Sequence, residues 1–520
     1  MKAKSVTEVS AMRLNLALQD NIDQLQHIFG NSGDLIVREL TFGDTPEVHM
    51  AFVYLDGMAD RTSVYRLIES ISNQAVQEGW TTSTDVLSLS RITIGDIRTQ
   101  TDFEAIQESI LSGETVIFTD RENQAISVDT VGFEHRNVTE PISQTVVRGP
   151  QEGFTETLQT NVALIRRKIK DPNLWMEVNP IGRITKTKVA IMYMNGLVKE
   201  STLQEVRSRL QRIDIDGILE SNYIEEFIQD KTFTVFPTIN NSERPDVVAA
   251  SLLEGRVAIL IDGTPFVLLV PALFTQFLQS AEDYYHRSDF GLLRLLRYLA
   301  FLISLFGPST YIAVTTFHQE MLPTALLISL ASQREGIPFP AFIEALIMEV
   351  TFELLREASI RMPRAIGTAI SIVGALVLGQ SAVEAGLVSP AMVIVVSITA
   401  IAGFIFPSFD IGISARVLRF GFMGLAASFG FYGMFLGMIA LVLHLCHLQS
   451  FGVPYMSPFA PFSKSDQKDN VIRVPWWKMY TRPDVLVRHN KTRIGGEPQQ
   501  NGDSGTNGNH QAGNPNGDMK

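Results

Sequence analysis

Cysteine is almost absent: the chain has one, Cys446, in 520 residues. That excludes an intrachain disulfide and a thiolate metal cage, and it fits a reducing compartment. Lying in an apolar stretch, Cys446 reads as a small apolar side chain in a helix. Net positive charge is missing as well. A formal charge of −12 leaves no basic face for phosphates, so no nucleic-acid partner is expected. There is no glycine-rich phosphate cradle, because Asp56-Gly57 and Asp262-Gly263 lack the spacing of a dinucleotide or P-loop motif. Asp56, Asp120 and Asp262 follow strand-like runs, where aspartates read first as backbone caps. His318 with Glu320 is too little for a metal site and reads as a helix-end cap. Neither an enzyme nor a cofactor is expected. Residues 1–20 hold no apolar core of signal-peptide length, so residues up to about 285 are expected to stay in the cytosol.

What is present changes character near residue 290. Before it the chain reads as water-soluble α/β protein; from Leu292 to Leu448 it is a series of long apolar segments, and after that it is polar. The expected fold class is an α/β soluble N-terminal region of two related subdomains, followed by an all-α polytopic membrane domain. The parts expected are a partly flexible segment 1–33, a first subdomain 34–135, a connector 136–179 and a second subdomain 180–285. A membrane domain 290–450, an interfacial or cytoplasmic segment 451–494 and a disordered Gly/Asn/Gln/Pro-rich tail 495–520 complete the chain.

The two subdomains are read from an internal repeat. Val48–Asp60 reads as a strand, a turn at Asp56-Gly57 and a helix start; Val189–Lys199 repeats it with a turn at Asn195-Gly196. Downstream, Leu111–Asp120 parallels Leu253–Asp262, each a glycine-capped helix end leading into a strand. The two offsets, 139 and 142 residues, nearly agree. The connector carries Arg148–Thr155 and a helical run 161–170 with Arg166, Arg167 and Lys168. That run reads as a solvated basic face or as a contact for anionic lipid or another subunit.

Four apolar segments are long enough to span a bilayer core of about 30 Å: 292–317, 365–388, 391–409 and 418–448. The last can be one tilted span or a hairpin broken around Gly430–Gly433. Arg294/Arg297, Arg361/Arg364 and Arg416/Arg419 mark the cytoplasmic side, and the uncharged 386–390 turn the other. Something between 318 and 360 must then cross back. The candidate is 339–360, which carries Glu344, Glu349, Glu353 and Glu357. At about 100° per residue, Glu349, Glu353 and Glu357 share a face that Phe342 and Leu346 continue. Three lipid-facing carboxylates would be prohibitive at about 2.5–3.5 kcal/mol each, so the face must meet water, protein or cations. Around an oligomer it would form acidic rings below an apolar neck, a cation-selective arrangement. The alternatives are a helix lying flat in the interface, or acids paired with Arg356 and Arg361. The basic residues after Trp476-Trp477 suggest a cytoplasmic tail, which requires either the hairpin or a further crossing in 318–338. Small residues at four-residue spacing (367/371, 375/379, 433/437) suit close helix packing.

Several of these runs carry a family resemblance. His318–Leu327, Arg334–Pro340, Glu344–Glu357, Ser371–Gly379, Ser450–Pro458 and the connector Arg148–Phe154 resemble the A subunit of GerA-type spore germination receptors, over roughly residues 34–462. The resemblance implies a protein of the spore inner membrane. It also implies two partners: a transporter-like B subunit that binds the nutrient, and a lipoprotein C subunit. In the family view A subunits form an oligomer, a pentamer, that opens as a nutrient-gated channel for monovalent cations. The choice of Phe342, Leu346, Glu349, Glu353 and Glu357 as pore-lining residues comes from helical geometry alone. A non-conducting scaffold that relays germinant binding to a separate channel is the alternative.

Overall fold

The computed structural model describes residues 13–42, 48–78, 96–132, 140–141, 143–230, 233–287, 291–361, 379–487 and 490–494. Residues 362–378, which hold most of the expected 365–388 span and the 367/371 pair, lie outside the described residues, as does the 495–520 tail.

The first unit runs α1 (Leu18–Ile28), β1 (Leu35–Phe42), β2 (Val48–Leu55), α2 (Arg61–Glu78), β3 (Ile97–Gln100), α3 (Phe103–Ser112), β4 (Thr115–Thr119) and β5 (Ala125–Val128). The second runs α4 (Leu158–Lys168), β6 (Leu174–Ile181), β7 (Thr187–Met194), α5 (Glu200–Gln211), α6 (Ser221–Ile228), β8 (Asn240–Ser242), α7 (Pro245–Leu253), β9 (Val257–Ile261) and β10 (Val267–Val270). Each forms an antiparallel five-stranded sheet, ordered β1-β2-β4-β5-β3 in one and β6-β7-β9-β10-β8 in the other. The registers coincide too: Leu35 faces Leu55 and Leu174 faces Met194, both pairs displaced by the same 139 residues. The repeat read from two short patterns is therefore a repeat of the whole fold.

The repeat is built at the level of single hydrogen bonds. Asp120 Oδ1 accepts from the backbone N–H of Leu18, at the start of α1, and Asp262 Oδ1 accepts from that of Leu158, at the start of α4. Asn21 pins the backbone of Asn15 through both amide atoms, and Asn161 does the same to Thr155. The strand-end aspartates are thus helix caps, offsetting orphan N–H groups. Gly113 and Gly255 close α3 and α7 at φ +95° and +85°, as glycine allows at little cost.

Two boundaries differ from the sequence reading. Residues 18–28 form α1, whose Ile22 and Leu25 are buried in the first core, so this part of 1–33 is structural. β6 is the edge strand of the second sheet, so the connector's last residues belong to the second unit. Arg166 also departs from expectation. It is 1% exposed, and its guanidinium grips Asp34 of the first unit at 2.8 and 3.0 Å and Ser32 at 3.1 Å. A basic run reads as solvated because its acidic partner lies 132 residues away. Arg167 and Lys168 pair with Glu152 at the surface.

Beyond a short helix α8 (Glu282–Tyr285), the chain forms a bundle: α9 (Gly291–Thr316), α10 (Thr324–Arg334), α11 (Ala341–Arg361), α12 (Pro390–Phe404) and α13 (Phe409–His447). α9 and α13 are long and apolar enough to cross a membrane. α13 is not straight, because Gly430 has φ +59° and ψ −142°. A Cβ on Gly433 would sit 2.5 Å from the Leu425 carbonyl oxygen, and one on Gly437 would meet Phe422 at 2.8 Å. Residues so far apart in sequence touch only if the chain doubles back, so α13 is an antiparallel hairpin with its tip at Gly430. Both ends meet the second α/β unit: Asp410 accepts from Asn241 at 3.1 Å, and His444 lies 2.9 Å from the Thr234 hydroxyl. The arms, 409–429 and 431–447, rise about 31 Å and about 26 Å. Of the two ways to return the tail, the hairpin is the one observed.

The start of α9 is keyed to α8 and the C-terminal segment by ion pairs. Arg294 bonds Asp283 at 3.1 Å and Asp469 at 2.9 Å, and Arg297 bonds Asp283 at 2.8 Å. Segment 451–494 is more than an interfacial tail: Leu486 and Val487 enter the core of the second unit.

Candidate functional site

α11 is the acid-bearing helix, and it runs back towards the α/β units. Its N-terminal end lies at the far end of the bundle, where Glu344, fully buried, accepts from Arg334 at 3.2 Å and from the Ser389 N–H at 3.0 Å. At its other end Arg356 stacks on Phe404, the last residue of α12. The order of ends is consistent: α9 leaves the α/β side, α11 returns to it, α12 returns to it, and α13 leaves and returns.

Glu349 is 1% exposed and bonds Arg419 of α13 at 2.5 Å. Arg419 also donates to the Ser304 carbonyl at 2.7 Å and to its hydroxyl at 2.9 Å, so one guanidinium ties α9, α11 and α13. Glu353 is shared between Arg356 at 3.3 Å and Arg416 at 3.2 Å. Glu357 is exposed and pairs with Arg361 at 2.6 Å. Phe342 and Leu346 are half-buried, packed on the cluster that includes Ile312, Met348 and Met423.

The five residues do share one side of α11, as the spacing requires, but within this chain the side is turned largely inward. Outward, α11 presents Ile347, Val350, Leu354 and Glu357, an apolar stripe ending in one acid. The pairings of Glu353 with Arg356 and of Glu357 with Arg361 were among the alternatives read from the sequence. Arg416 and Arg419, expected to mark the cytoplasmic side, are also the partners of Glu353 and Glu349. Their spacing of three, which puts both on one face of α13, was the available sign of a role as partners. Glu349 Oε1 has no hydrogen-bond partner among the described residues. Breaking such a buried pair is costly because it strands a charge, which makes this network a fixed point of the bundle.

Among the described residues no cluster of three or more His, Cys, Asp or Glu could hold a metal. Cys446 lies exposed on the second arm of α13. His318 sits at the end of α9, near the Ala313 carbonyl and against Phe431.

A duplicated α/β unit is joined to a bundle of apolar helices with acids and arginines interleaved inside it, and two helices of that bundle are long and apolar enough to cross a membrane. The family described as Bacillus/Clostridium GerA spore germination protein matches residues 23–485, and the chain belongs to it. It is 50% identical over 483 residues to spore germination protein KA of Bacillus subtilis, covering 92% of this chain and 88% of that one. It is 38% identical to spore germination protein B1 of the same organism (91% and 98% covered) and 42% identical to spore germination protein A1 (82% and 87%). A crystal structure of the N-terminal domain of the A subunit of the Bacillus megaterium spore germinant receptor GerK3 is 36% identical. It covers 51% of this chain and 98% of that one, with a TM-score of 0.41.

Proposed function

We propose that the protein is the A subunit of a nutrient germinant receptor in the spore inner membrane, with its α/β units on the core side. In this reading it works with a transporter-like B subunit and a lipoprotein C subunit. Copies associate into a homo-oligomer, a pentamer, whose axis passes monovalent cations when nutrient binds, with α11 beside the pathway. Family membership supports the germination role, and the observation that carries the conduit is the exposed Ile347–Val350–Leu354–Glu357 stripe on an otherwise acid-bearing helix. The stripe gives neighbouring copies an apolar surface, and with Glu349 held by Arg419 the acids left near a shared axis are Glu353 and Glu357.

One observation favours the second reading, a non-conducting transducer. Glu349 is neutralised inside the protomer by Arg419, which makes it a structural acid rather than an ion-facing one. Flux through proteoliposomes holding the complete receptor separates the two. Under the conduit reading, Glu353→Gln lowers cation flux and slows germination while the complex still assembles. Unchanged flux and unchanged germination in that variant favour the transducer.

A further inference from the structure

A chamber of about 800 Å³ opens where α7, the Gln276–Tyr285 stretch, the α12–α13 turn and the C-terminal segment meet. None of the α11 residues lines it. Its wall holds five arginines against three carboxylates, and one of the five, Arg297, is already paired with Asp283 behind the wall at 2.8 Å.

The existing pairs do not use up that positive charge. Arg244 pairs with Asp246 at 2.8 Å, and Arg493 with Glu254 at 2.7 Å. Arg256 reaches Glu254 only at 3.8 Å. Arg482 donates to the carbonyls of Leu253, Asn490 and Thr492 and forms no ion pair among the described residues. The Nε atoms of Arg244 and Arg256, with Asp246 Oδ1, are buried without a partner there. Burial holds the Arg256 guanidinium below its ordinary range, and nearby Glu254 offsets only part of this. Unsatisfied buried N–H groups are rare and costly, and a set of them around one cavity calls for an acceptor. Arginine forks match phosphate oxygens, and the free Asp246 oxygen suits a hydroxyl.

The other wall is apolar. Phe404, Ile405 and Phe406 come from the end of α12 and Trp476 from the tail. Phe404, Trp476 and the adjacent Trp477 are exposed at this end of the bundle, where aromatic rings mark the level of lipid headgroups. A soluble anion would need the arginines alone; an amphiphile uses both walls.

We propose that this chamber is a binding site for a phosphate ester bearing hydroxyls, supplied by the headgroup of an anionic phospholipid. Its phosphate sits among Arg256, Arg482 and Arg493, and its apolar part lies along Phe404 and Phe406. The site requires the bundle to lie in a membrane but not that it conducts.

The test uses the full chain, purified in maltoside detergent and stripped of lipid. Its melting midpoint is followed while short-chain phosphatidylglycerol, short-chain phosphatidylcholine or glycerol phosphate is added. A saturable rise with phosphatidylglycerol and none with phosphatidylcholine is expected. Arg482→Gln, which removes one charge, and Ala250→Trp, which fills the chamber without touching charge, should each raise the half-saturating concentration about tenfold or more, the weight of one charge-assisted hydrogen bond. Where one variant does not fold, the other decides. If glycerol phosphate alone reproduces the full rise, the phosphate site stands and the lipid source is overturned. If phosphatidylcholine acts equally, or if the folded variants respond as the native chain does, the site itself is overturned.

Discussion

The two α/β units share strand order, register, helix caps and glycine positions, yet they are held in different ways. The second is bound to the rest of the protein on several sides: through Leu486 and Val487 of the tail, through Asn241 and Asp410, and through Thr234 and His444. The first, among the described residues, meets its twin through a set of contacts. They run along α4 and the start of β6, and include Arg166 with Asp34 and Ser32, Gln159 donating to Asp56, the Met176 N–H donating to the Ser32 hydroxyl, the Gly33 N–H donated to the Met176 carbonyl, Ala163 in the first unit's core, and Gly30 beneath the Trp175 ring. Duplication supplied two copies of one fold, and their surroundings made one an anchor and the other a suspended head.

The largest expected break in this comparison is Arg166→Ala. It strands a buried Asp34 carboxylate and should cost about 3–5 kcal/mol. Because the loss falls on the joint, denaturant unfolding of the full chain should split into two transitions, the first unit melting earlier. A single shifted transition would show that the two copies are not held differently.

Arg419→Met applies the same operation to the bundle and should cost a similar amount, about 3–5 kcal/mol, by stranding Glu349. Here the loss should appear as poor assembly and lost germination, with the α/β units unfolding as before. Combining it with Glu349→Met should recover much of the stability, since replacing both partners removes the buried charge. If the double variant also fails to germinate while folding normally, the pair serves signalling as well as packing.

A smaller contrast comes from the matched caps. Gly113→Ala and Gly255→Ala each force a side chain into φ near +90°, at about 1–2 kcal/mol. The Gly113 Cβ also meets the Met58 carbonyl oxygen at 2.8 Å, whereas that of Gly255 lies 3.2 Å from the Leu197 oxygen and 3.3 Å from that of Leu486. Thermal unfolding should therefore rank Gly113→Ala as the more harmful to its own unit. Gly255→Ala alone should loosen the tail, read as faster proteolysis after residue 480.

The smallest effect concerns pH. Glu225 of α6 is pushed up to about 7, mainly by burial and then by the charges of Asp410, Glu220 and Glu226. A carboxyl raised in the folded state binds more protons folded than unfolded, so stability falls as pH climbs from its ordinary range through about 7 and is level above that. Glu225→Gln should flatten the dependence of the melting midpoint between pH 5 and 8 and raise the midpoint at pH 8. An unchanged pH profile would remove Glu225 from the anchored junction.

Local chemistry was legible in the sequence: the Asp56-Gly57 and Asn195-Gly196 turns, the Gly113 and Gly255 caps, and the apolar stretch that became α9. The break at Gly430 was one of two open readings of the last apolar segment. What stayed hidden was pairing over long separations. Arg166 reads as surface until Asp34 is beside it, and Glu349 reads as ion-facing until Arg419, 70 residues on, fills the same space. Helical periodicity reports which residues share a face. It does not report what that face meets, because that depends on how separate helices dock.

The doubled-back α13 has a practical consequence for handling the protein. Since the bend at Gly430 hands the polypeptide back to the side it came from, fluorescent or protease-sensitive labels just before Phe409 and just after His447 should report from one compartment. A crosslink from the stretch near Trp476 to α7 would then tie the C-terminal segment to the second unit without touching either arm of the hairpin.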